Sequence, residues 1–157
     1  MSNSSSVYLK ILALIIAILC LLALYFAKVH SYYLADISPH QAQALITEDV
    51  FFIDVRSKPE YQQGHPQASI NIPLYFLKAN RSVKNDHFLT DVTKLANIQS
   101  TSSIIFTCQS GSRSHQAANV LAKAGYRQVY NMQGGFELWY QQKLPSVLLK
   151  PKLVNAK

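Results

Sequence analysis

The chain has 157 residues and a formal net charge of +7. At roughly 150 residues per domain, this length leaves room for one globular domain and a short appendage. Its two cysteines, Cys20 and Cys108, exclude a disulfide scaffold and cannot supply a structural zinc site, and its 49% hydrophobic residues exclude a disordered chain.

An apolar stretch near the N-terminus predicts a membrane-spanning helix over residues 11–27. The stretch carries no charge, proline or glycine and shows no polar face, and residues 7–9 lengthen it enough to cross the ~30 Å hydrocarbon layer. Lys10 and Lys28 can then reach the headgroups on the two sides. The alternative is a cleaved signal peptide, which the length of the stretch and its poor cleavage site disfavour.

The chain is therefore expected to have five parts. These are an N-terminal tail (1–10), the transmembrane helix (11–27), a linker (28–32), a folded domain (33–145) and a basic C-terminal tail (146–157). Positive charge is nearly balanced on the two sides of the helix, so the positive-inside rule leaves the orientation open. The basic residues of the tail are not interleaved with aromatic residues, so we expect a solvated end near a membrane and no nucleic-acid partner.

Signals for helices and strands alternate in the first half of the folded domain. Ser38 opens a capping box that predicts a helix to about Ile46. The continuous apolar run Val50–Val55 predicts a strand buried on both faces, as parallel sheets require. A second capping box predicts a short helix that ends at Gly64, and Ser69–Ile72 predicts a short strand.

The second half of the domain continues this alternation. We predict a helix near Asp86–Ala96, a buried strand at Ser103–Thr107, a helix at Arg113–Ala124, a strand at Gln128–Asn131 and a final helix after Gly134. Strands separated by helices imply right-handed crossovers and a parallel α/β sheet. In such sheets the functional site lies beyond the carboxyl ends of the strands.

The loop that follows the strand Ser103–Thr107 carries a candidate nucleophile. It reads Cys108-Gln109-Ser110-Gly111-Ser112-Arg113-Ser114. The loop amides, the helix N-terminus and the Arg113 guanidinium each favour thiolate over thiol, so we expect Cys108 to have a lowered pKa. Gly111 allows the backbone to curl tightly enough for the amides to face the sulfur. An inert buried cysteine is the alternative, which this context disfavours.

Four stretches, in this order, resemble the rhodanese-like single-domain sulfurtransferases. They are Phe52–Arg56, which contains Asp-x-Arg; Glu60–His65 with Asn71–Pro73; the loop Cys108–Ser114; and Gly134–Trp139, which has the form G-G-x-x-x-W. The resemblance covers residues 33–145. It implies a parallel five-stranded sheet flanked by helices, here preceded by one transmembrane helix.

The resemblance also implies a reaction. The Cys108 thiolate attacks the outer sulfur of a small anionic donor such as thiosulfate, and a thiol or a sulfur-acceptor protein then takes the sulfur from the resulting persulfide. The resemblance implies no metal ion and no cofactor. It assigns the active-site loop to Gln109, Ser110, Gly111, Ser112 and Arg113.

Three residues outside the loop are expected to support it. Arg56 either attracts the anionic donor, together with Arg113, or pairs with Asp54 or Glu60 to hold the loops, and the sequence leaves both roles open. Asp54 is expected to brace the loop as a hydrogen-bond acceptor. His65 is expected to fix a turn.

Two other functions remain as alternatives. One is a catalytically weak binding module that recruits a partner to the membrane, against which the intact loop argues. The other is phosphatase or anion reductase chemistry. Four residues separate Cys108 from Arg113, one fewer than in dual-specificity phosphatases, and the tighter ring suits a single sulfur atom. We expect a single-pass protein of the cell membrane with its domain on the cytoplasmic face, where thiol acceptors are available.

Overall fold

The computed structural model describes residues 3–29, 33–46, 50–79, 81–95 and 98–149. The chain divides into two units, Met1–Ser31 and Tyr32–Lys157. The first unit contains helix α1 (Asn3–Val29), which shows that residues 11–27 are helical, as predicted, and that the helix extends beyond both of these ends. No side chain of α1 between Ser6 and Phe26 is buried.

The second unit alternates strands and helices. Its elements are β1 (Tyr33–Ile37), α2 (Pro39–Leu45), β2 (Val50–Asp54), α3 (Lys58–Gln63), β3 (Gly64–Pro66), β4 (Ile70–Asn71), β5 (Tyr75–Lys78), β6 (Arg81–Lys84), α4 (Phe88–Thr93), β7 (Ser103–Thr107), α5 (Ser112–Lys123), β8 (Gln128–Met132), α6 (Gly135–Gln141) and β9 (Ser146–Leu148). Each helix and strand predicted from the sequence is present. The helix predicted over 86–96 is the most shortened, and its expected end at Ala96 lies outside the described residues.

Both predicted capping boxes are formed. At the start of α2, Ser38 Oγ accepts a hydrogen bond of 3.2 Å from the Gln41 N–H, and Gln41 Oε1 accepts one of 2.8 Å from the Ser38 N–H. At the start of α3, Glu60 Oε2 accepts hydrogen bonds from the N–H and the hydroxyl of Ser57, at 3.0 and 2.6 Å. These bonds satisfy amide groups that a helix N-terminus leaves without a partner.

In the described part of the second unit, five strands form one parallel sheet in the order β1-β8-β7-β2-β4. This confirms the parallel five-stranded sheet flanked by helices. The edge strand β1 was not predicted from its own residues. It is held by its pairing with β8, in which Tyr33 lies opposite Gln128 and Ile37 lies opposite Met132.

Apolar residues cover both faces of the central strands. On one face, Ile53 of β2 and Ile104 of β7 pack with Leu121 and other residues of α5. On the other face, Phe52 and Ile105 pack with Trp139 of α6. Successive strand residues therefore enter opposite cores, which is the burial on both faces that the apolar runs predict.

Two short antiparallel pairs lie outside this sheet. Strands β5 and β6 form a hairpin in a segment for which no strand was predicted. Strand β9 pairs with β3, which places Ser146–Leu148 against the domain where the sequence predicted a solvated tail. Backbone pairing holds this segment, because Gly64 lies opposite Leu148 and the flanking Gln67 N–H donates to the Pro145 carbonyl oxygen at 3.0 Å. The expected basic end at 150–157 and the linker residues 30–32 lie outside the described residues.

Candidate active site

The candidate nucleophile lies at the carboxyl end of β7, in the middle of the parallel sheet. Cys108 is 0% exposed and forms part of the core beside Val55 and Phe106. Its Sγ accepts a hydrogen bond of 3.1 Å from the Gly111 N–H, and the Ser114 hydroxyl oxygen lies 3.5 Å from it. The loop therefore closes on the sulfur atom itself.

The surroundings of Cys108 act on its pKa in opposite directions. Burial raises the pKa of the thiol, but hydrogen bonds from the Ser114 hydroxyl and from the backbone N–H groups of Ser114, Gly111 and Ser110 outweigh burial and lower it. The direction agrees with the expectation from the sequence. The main cause differs, because the Ser114 hydroxyl, which the sequence analysis did not single out, contributes the largest lowering effect.

Two backbone features shape the loop. Gly111 has a φ of +104°, a left-handed conformation that favours glycine and brings its N–H to the sulfur. The first turn of α6 then holds the loop from the other side. The Phe136 N–H donates to the Cys108 carbonyl oxygen at 2.7 Å, and the Glu137 N–H donates to the Gln109 carbonyl oxygen at 3.1 Å.

Arg113 faces a carboxylate. Its Nη1 and Nη2 donate to the two carboxylate oxygens of Glu60 at 3.0 and 2.7 Å, in a bidentate pair between α5 and α3. The Arg113 hydrogen bond lowers the pKa of Glu60 to about 2, against the effect of burial. Because Glu60 balances its charge, Arg113 does not stand as a free cation. A role of Arg113 in attracting the donor remains a prediction.

Arg56 pairs with Asp54, the structural alternative of the two that the sequence left open. The two side chains are 3% and 0% exposed, and Arg56 Nη2 lies 2.6 Å from Asp54 Oδ2. Arg56 also donates to the Gly64 carbonyl oxygen at 2.7 Å and to Gln109 Oε1 at 3.3 Å, while its guanidinium lies 4.5 Å from the Phe136 ring centroid. Arg56 thus connects the end of β2 to the start of β3 and to the Cys108 loop.

His65 lies at a turn. Its Nδ1 is 2.8 Å from the Tyr61 carbonyl oxygen, so Nδ1 carries the proton and donates this bond. Its ring stacks on the Tyr61 ring with 3.7 Å between centroids. Both contacts join α3 to β3, an arrangement that fits the predicted turn-fixing role.

A small polar hollow lies beside the loop. It has a volume of about 190 Å³ and is lined by Arg56, Glu60, Gln63, Gly64, Gln109 and Phe136. Among these described lining residues Cys108 is absent, although Gln109 follows it directly in the chain. A donor that enters the hollow therefore stands next to the loop, with the sulfur still covered.

Sequence reasoning missed two residues near the sulfur, Ser114 and Asn131. The Ser114 hydroxyl lies 2.7 Å from Asn131 Oδ1. A signal for Asn131 was available, because it is a polar residue near the carboxyl end of a predicted strand, where parallel sheets place their sites. The register confirms this position, since Asn131 lies opposite Phe106, two residues before Cys108.

Comparisons with known sequences and structures identify relatives of this chain. The sequence model of the family described as Rhodanese-like domain matches residues 38–142. The chain is 36% identical over 107 residues to thiosulfate sulfurtransferase 18 of Arabidopsis thaliana, covering 67% of this chain and 77% of the relative. It is 32% identical over 103 residues to thiosulfate sulfurtransferase GlpE of Ectopseudomonas mendocina, covering 66% and 82%. The crystal structure of Rv0390 from M. tuberculosis matches with a TM-score of 0.61 at 27% identity, covering 74% of this chain and 98% of that one.

Proposed function

The chain belongs to the rhodanese-like domain family, and from that premise we propose that it moves sulfur from a donor such as thiosulfate to a thiol acceptor through a persulfide on Cys108. The observation that carries this proposal is the position of the Cys108 Sγ, 3.1 Å from the Gly111 N–H at the centre of a closed loop. An anionic sulfur is stabilised there by fixed donors, which need no rearrangement during the reaction.

The proposed reaction has two steps. The Cys108 thiolate attacks the outer sulfur of thiosulfate, so that a new S–S bond forms at Cys108 while the S–S bond of thiosulfate breaks and sulfite leaves with the bonding electrons. An acceptor thiolate then attacks the terminal sulfur of the persulfide, becomes a persulfide itself and releases the Cys108 thiolate. This is ping-pong chemistry. The backbone N–H groups of Ser114, Gly111 and Ser110, which lower the pKa of Cys108, are the fixed donors that we expect to stabilise the reacting anion.

Access to the sulfur requires a small movement of the site, because Cys108 is 0% exposed. We place donor entry at the polar hollow, because Gln109, which lines it, follows Cys108 directly in the chain. Gln109 is exposed, and its side chain is held to Arg56 by a bond of 3.3 Å, which is long for a hydrogen bond. We expect displacement of this side chain to open the way to the sulfur.

The two cysteines of the chain allow a matched test of this function. We expect the full chain to convert thiosulfate and cyanide to thiocyanate, Cys108→Ser to lose this turnover, and Cys20→Ser to keep it. Equal turnover by Cys108→Ser would contradict the proposal.

Turnover of an aryl phosphate, without thiocyanate formation, would favour the phosphatase alternative. The Arg113–Glu60 pair argues against the phosphatase alternative. A phosphate would have to bind the Arg113 guanidinium, and the Glu60 carboxylate already occupies that position.

We further propose that α1 anchors the chain in the cell membrane with a single pass and that the domain faces the cytoplasm. Among the described residues, one stretch is long and apolar enough to cross a membrane. It comprises the 21 residues Ser6–Phe26. At 1.5 Å per residue, it is about 30 Å long, which matches the hydrocarbon layer. Lys10 lies inside this length and can extend its ammonium to the headgroups, while the apolar residues 11–27 contact lipid in this proposal.

Carbonate extraction and intact mass together test the anchor. A retained anchor leaves the chain in the membrane pellet at its full mass, whereas a signal peptide leaves a shortened chain in the soluble fraction. A C-terminal reporter active in the cytoplasm supports the proposed orientation. A reporter active on the opposite side contradicts it.

A further inference from the structure

A chain of hydrogen bonds leads from the Cys108 sulfur to the surface of the domain. The Ser114 hydroxyl oxygen lies 3.5 Å from Cys108 Sγ and 2.7 Å from Asn131 Oδ1. Asn131 Nδ2 lies 2.7 Å from Asp36 Oδ1. Ser114 and Asn131 are buried, at 0% and 4% exposed, while Asp36 is exposed on β1. The proposed sulfur transfer uses none of Ser114, Asn131 and Asp36 as a reacting group.

The outer end of this chain fixes the orientation of the Asn131 amide. The hydrogen bond from the Asn131 side chain lowers the pKa of Asp36 against the effect of burial, with smaller contributions from Gln133 and His115, so Asp36 is ionised at neutral pH. An ionised carboxylate accepts hydrogen bonds and donates none. Asn131 must therefore present Nδ2 to Asp36, and as a result its Oδ1 faces Ser114.

The Ser114 hydroxyl has one proton and, among the described atoms, three acceptors. These are Asn131 Oδ1 at 2.7 Å, the Gly111 carbonyl oxygen at 3.0 Å and Cys108 Sγ at 3.5 Å. The shortest contact is the one to Asn131. When the proton lies there, the Ser114 oxygen turns a lone pair to the sulfur and accepts a hydrogen bond from the Cys108 thiol.

Ionisation of Cys108 changes this pattern. A thiolate is an acceptor alone, so Ser114 stabilises it best by turning its proton from Asn131 Oδ1 to Cys108 Sγ. This turn leaves Asn131 Oδ1 without its donor inside the protein, which is unfavourable for a buried carbonyl group. Asn131 and the thiolate therefore require the same proton.

We propose that Asn131, oriented by Asp36, is a positioning residue that competes with the Cys108 sulfur for the Ser114 hydroxyl proton and so sets the balance between resting thiol and reactive thiolate. Other charges act from outside this chain. Arg113 interacts with the charge of Cys108, and His115 lies 3.6 Å from Asp36. The proposal rests on the proposed function for the role of the thiolate, but the ionisation itself is measurable without sulfur transfer.

The competition predicts opposite effects for two residues that bind the same hydroxyl. Ser114→Ala removes a donor to the thiolate and raises the pKa of Cys108. Asn131→Leu keeps a similar shape but removes the competing acceptor, and it lowers the pKa. Below that pKa, the rate of alkylation by iodoacetamide then rises about threefold or more in Asn131→Leu and falls in Ser114→Ala, because the thiolate is the nucleophile.

The experiment measures alkylation of Cys108 against pH in the full chain in detergent, in a Cys20→Ser background. Gln133→Leu is the matched control, because it removes another donor to Asp36, at 3.1 Å, without touching Asn131. Its pH profile should equal that of the parent. The decisive comparison repeats Asn131→Leu in a Ser114→Ala background, where no hydroxyl is left to compete for and the pKa should not change.

Several outcomes would overturn the proposal. These are an unchanged or raised pKa of Cys108 in Asn131→Leu, or an equal decrease of this pKa with and without Ser114.

If circular dichroism shows that Asn131→Leu is unfolded, the exposed variant Asp36→Asn decides by the same comparison, because it frees the Asn131 amide to turn its Nδ2 to Ser114. A larger decrease of the pKa with Ser114 present supports the proposal, and equal decreases in the two backgrounds contradict it. The predicted shifts without persulfide formation from thiosulfate would contradict the proposed function and leave the competition intact.

Discussion

Gly135 passes so close to the carbonyl oxygen of Cys108 that a Cβ atom on Gly135 would lie 2.4 Å from that oxygen. Gly135 has a φ of +56°, and the hydrogen bond from the next residue, Phe136, to the same carbonyl oxygen is 2.7 Å long. The second glycine of the G-G-x-x-x-W stretch therefore allows the first turn of α6 to hold the Cys108 loop in place.

Gly135→Ala should displace the loop. The added methyl group cannot fit against the Cys108 and Gln109 carbonyl groups, so we expect sulfur transfer to fall by about a hundredfold, as misplacement of a reacting group by about 1 Å can produce. Thiocyanate formation measures this effect. The matched control is Gly125→Ala, where φ is +94° and, among the described residues other than its chain neighbours, no atom lies within 4 Å of the added Cβ.

Gly125→Ala should reduce stability by roughly 1–2 kcal/mol through backbone strain and leave sulfur transfer nearly unchanged. Equal activity losses in the two variants would show that backbone conformation, and not the approach of Gly135 to Cys108, determines the loop geometry.

Asp54→Asn should destabilise the fold strongly. The Asp54–Arg56 pair is almost fully buried, and removal of the aspartate charge leaves the guanidinium of Arg56 without its counterion. Loss of one partner of a buried pair reduces the free energy of unfolding by about 3–5 kcal/mol. Urea denaturation of the full chain in detergent measures this loss, and a decrease below about 1 kcal/mol would contradict the structural role of the pair.

Ionisation of Glu60 should make the stability of the folded domain depend on pH at acidic pH. Its pKa is lowered from 4.5 to about 2 in the folded state, chiefly by Arg113. A lowered folded-state pKa means that ionised Glu60 stabilises the fold fully above pH 4.5 and that this contribution is lost as the pH falls from 4.5 to about 2. Glu60→Gln should therefore flatten the decrease of the denaturation midpoint in this range.

Glu137→Gln, which changes an exposed glutamate, is the control for that measurement. It should retain the acid dependence of the unchanged chain. An identical decrease of the denaturation midpoint in Glu60→Gln and in the unchanged chain would mean that the Glu60–Arg113 pair contributes nothing to stability. Many partly exposed ion pairs make no measurable contribution.

Local signals explain what could be predicted of the fold. The capping residues Ser38 and Ser57 set the starts of α2 and α3, and the apolar runs of β2 and β7 indicate burial on both sides, because each of these signals acts within a few residues of the chain. Parallel topology followed from the alternation of strands with helices.

Elements defined by a distant partner could not be predicted in this way. Strand β1 is an edge strand that pairs with β8. The two strands are far apart in the sequence, since the paired residues Asp36 and Asn131 are separated by 95 positions. Strand β9 forms against β3, where Gly64 lies opposite Leu148. The hydrogen bonds of β1 and β9 depend on tertiary structure, which overrides weak local preference. The β5–β6 hairpin is local, and it was missed because no turn signal was recognised between Lys78 and Arg81.

The same distinction applies to the candidate site. Cys108 and its loop were recognisable because strand, glycine and helix follow one another directly in the sequence. The partner of Arg113 was not recognisable from the sequence, because Glu60 lies 53 residues earlier. The contact of Ser114 with Asn131 was also missed, because these residues are 17 positions apart. These contacts decide which charges are balanced and where the Ser114 proton lies.

Intact mass of the full chain after treatment with thiosulfate tests the central claim most directly. The account predicts a gain of one sulfur atom, located on the peptide that contains Cys108 and removed by cyanide or by a thiol. Cys20→Ser should gain the same sulfur, and Cys108→Ser should gain none. A chain that gains no sulfur, or that gains it equally after Cys108→Ser, would contradict persulfide formation at this site.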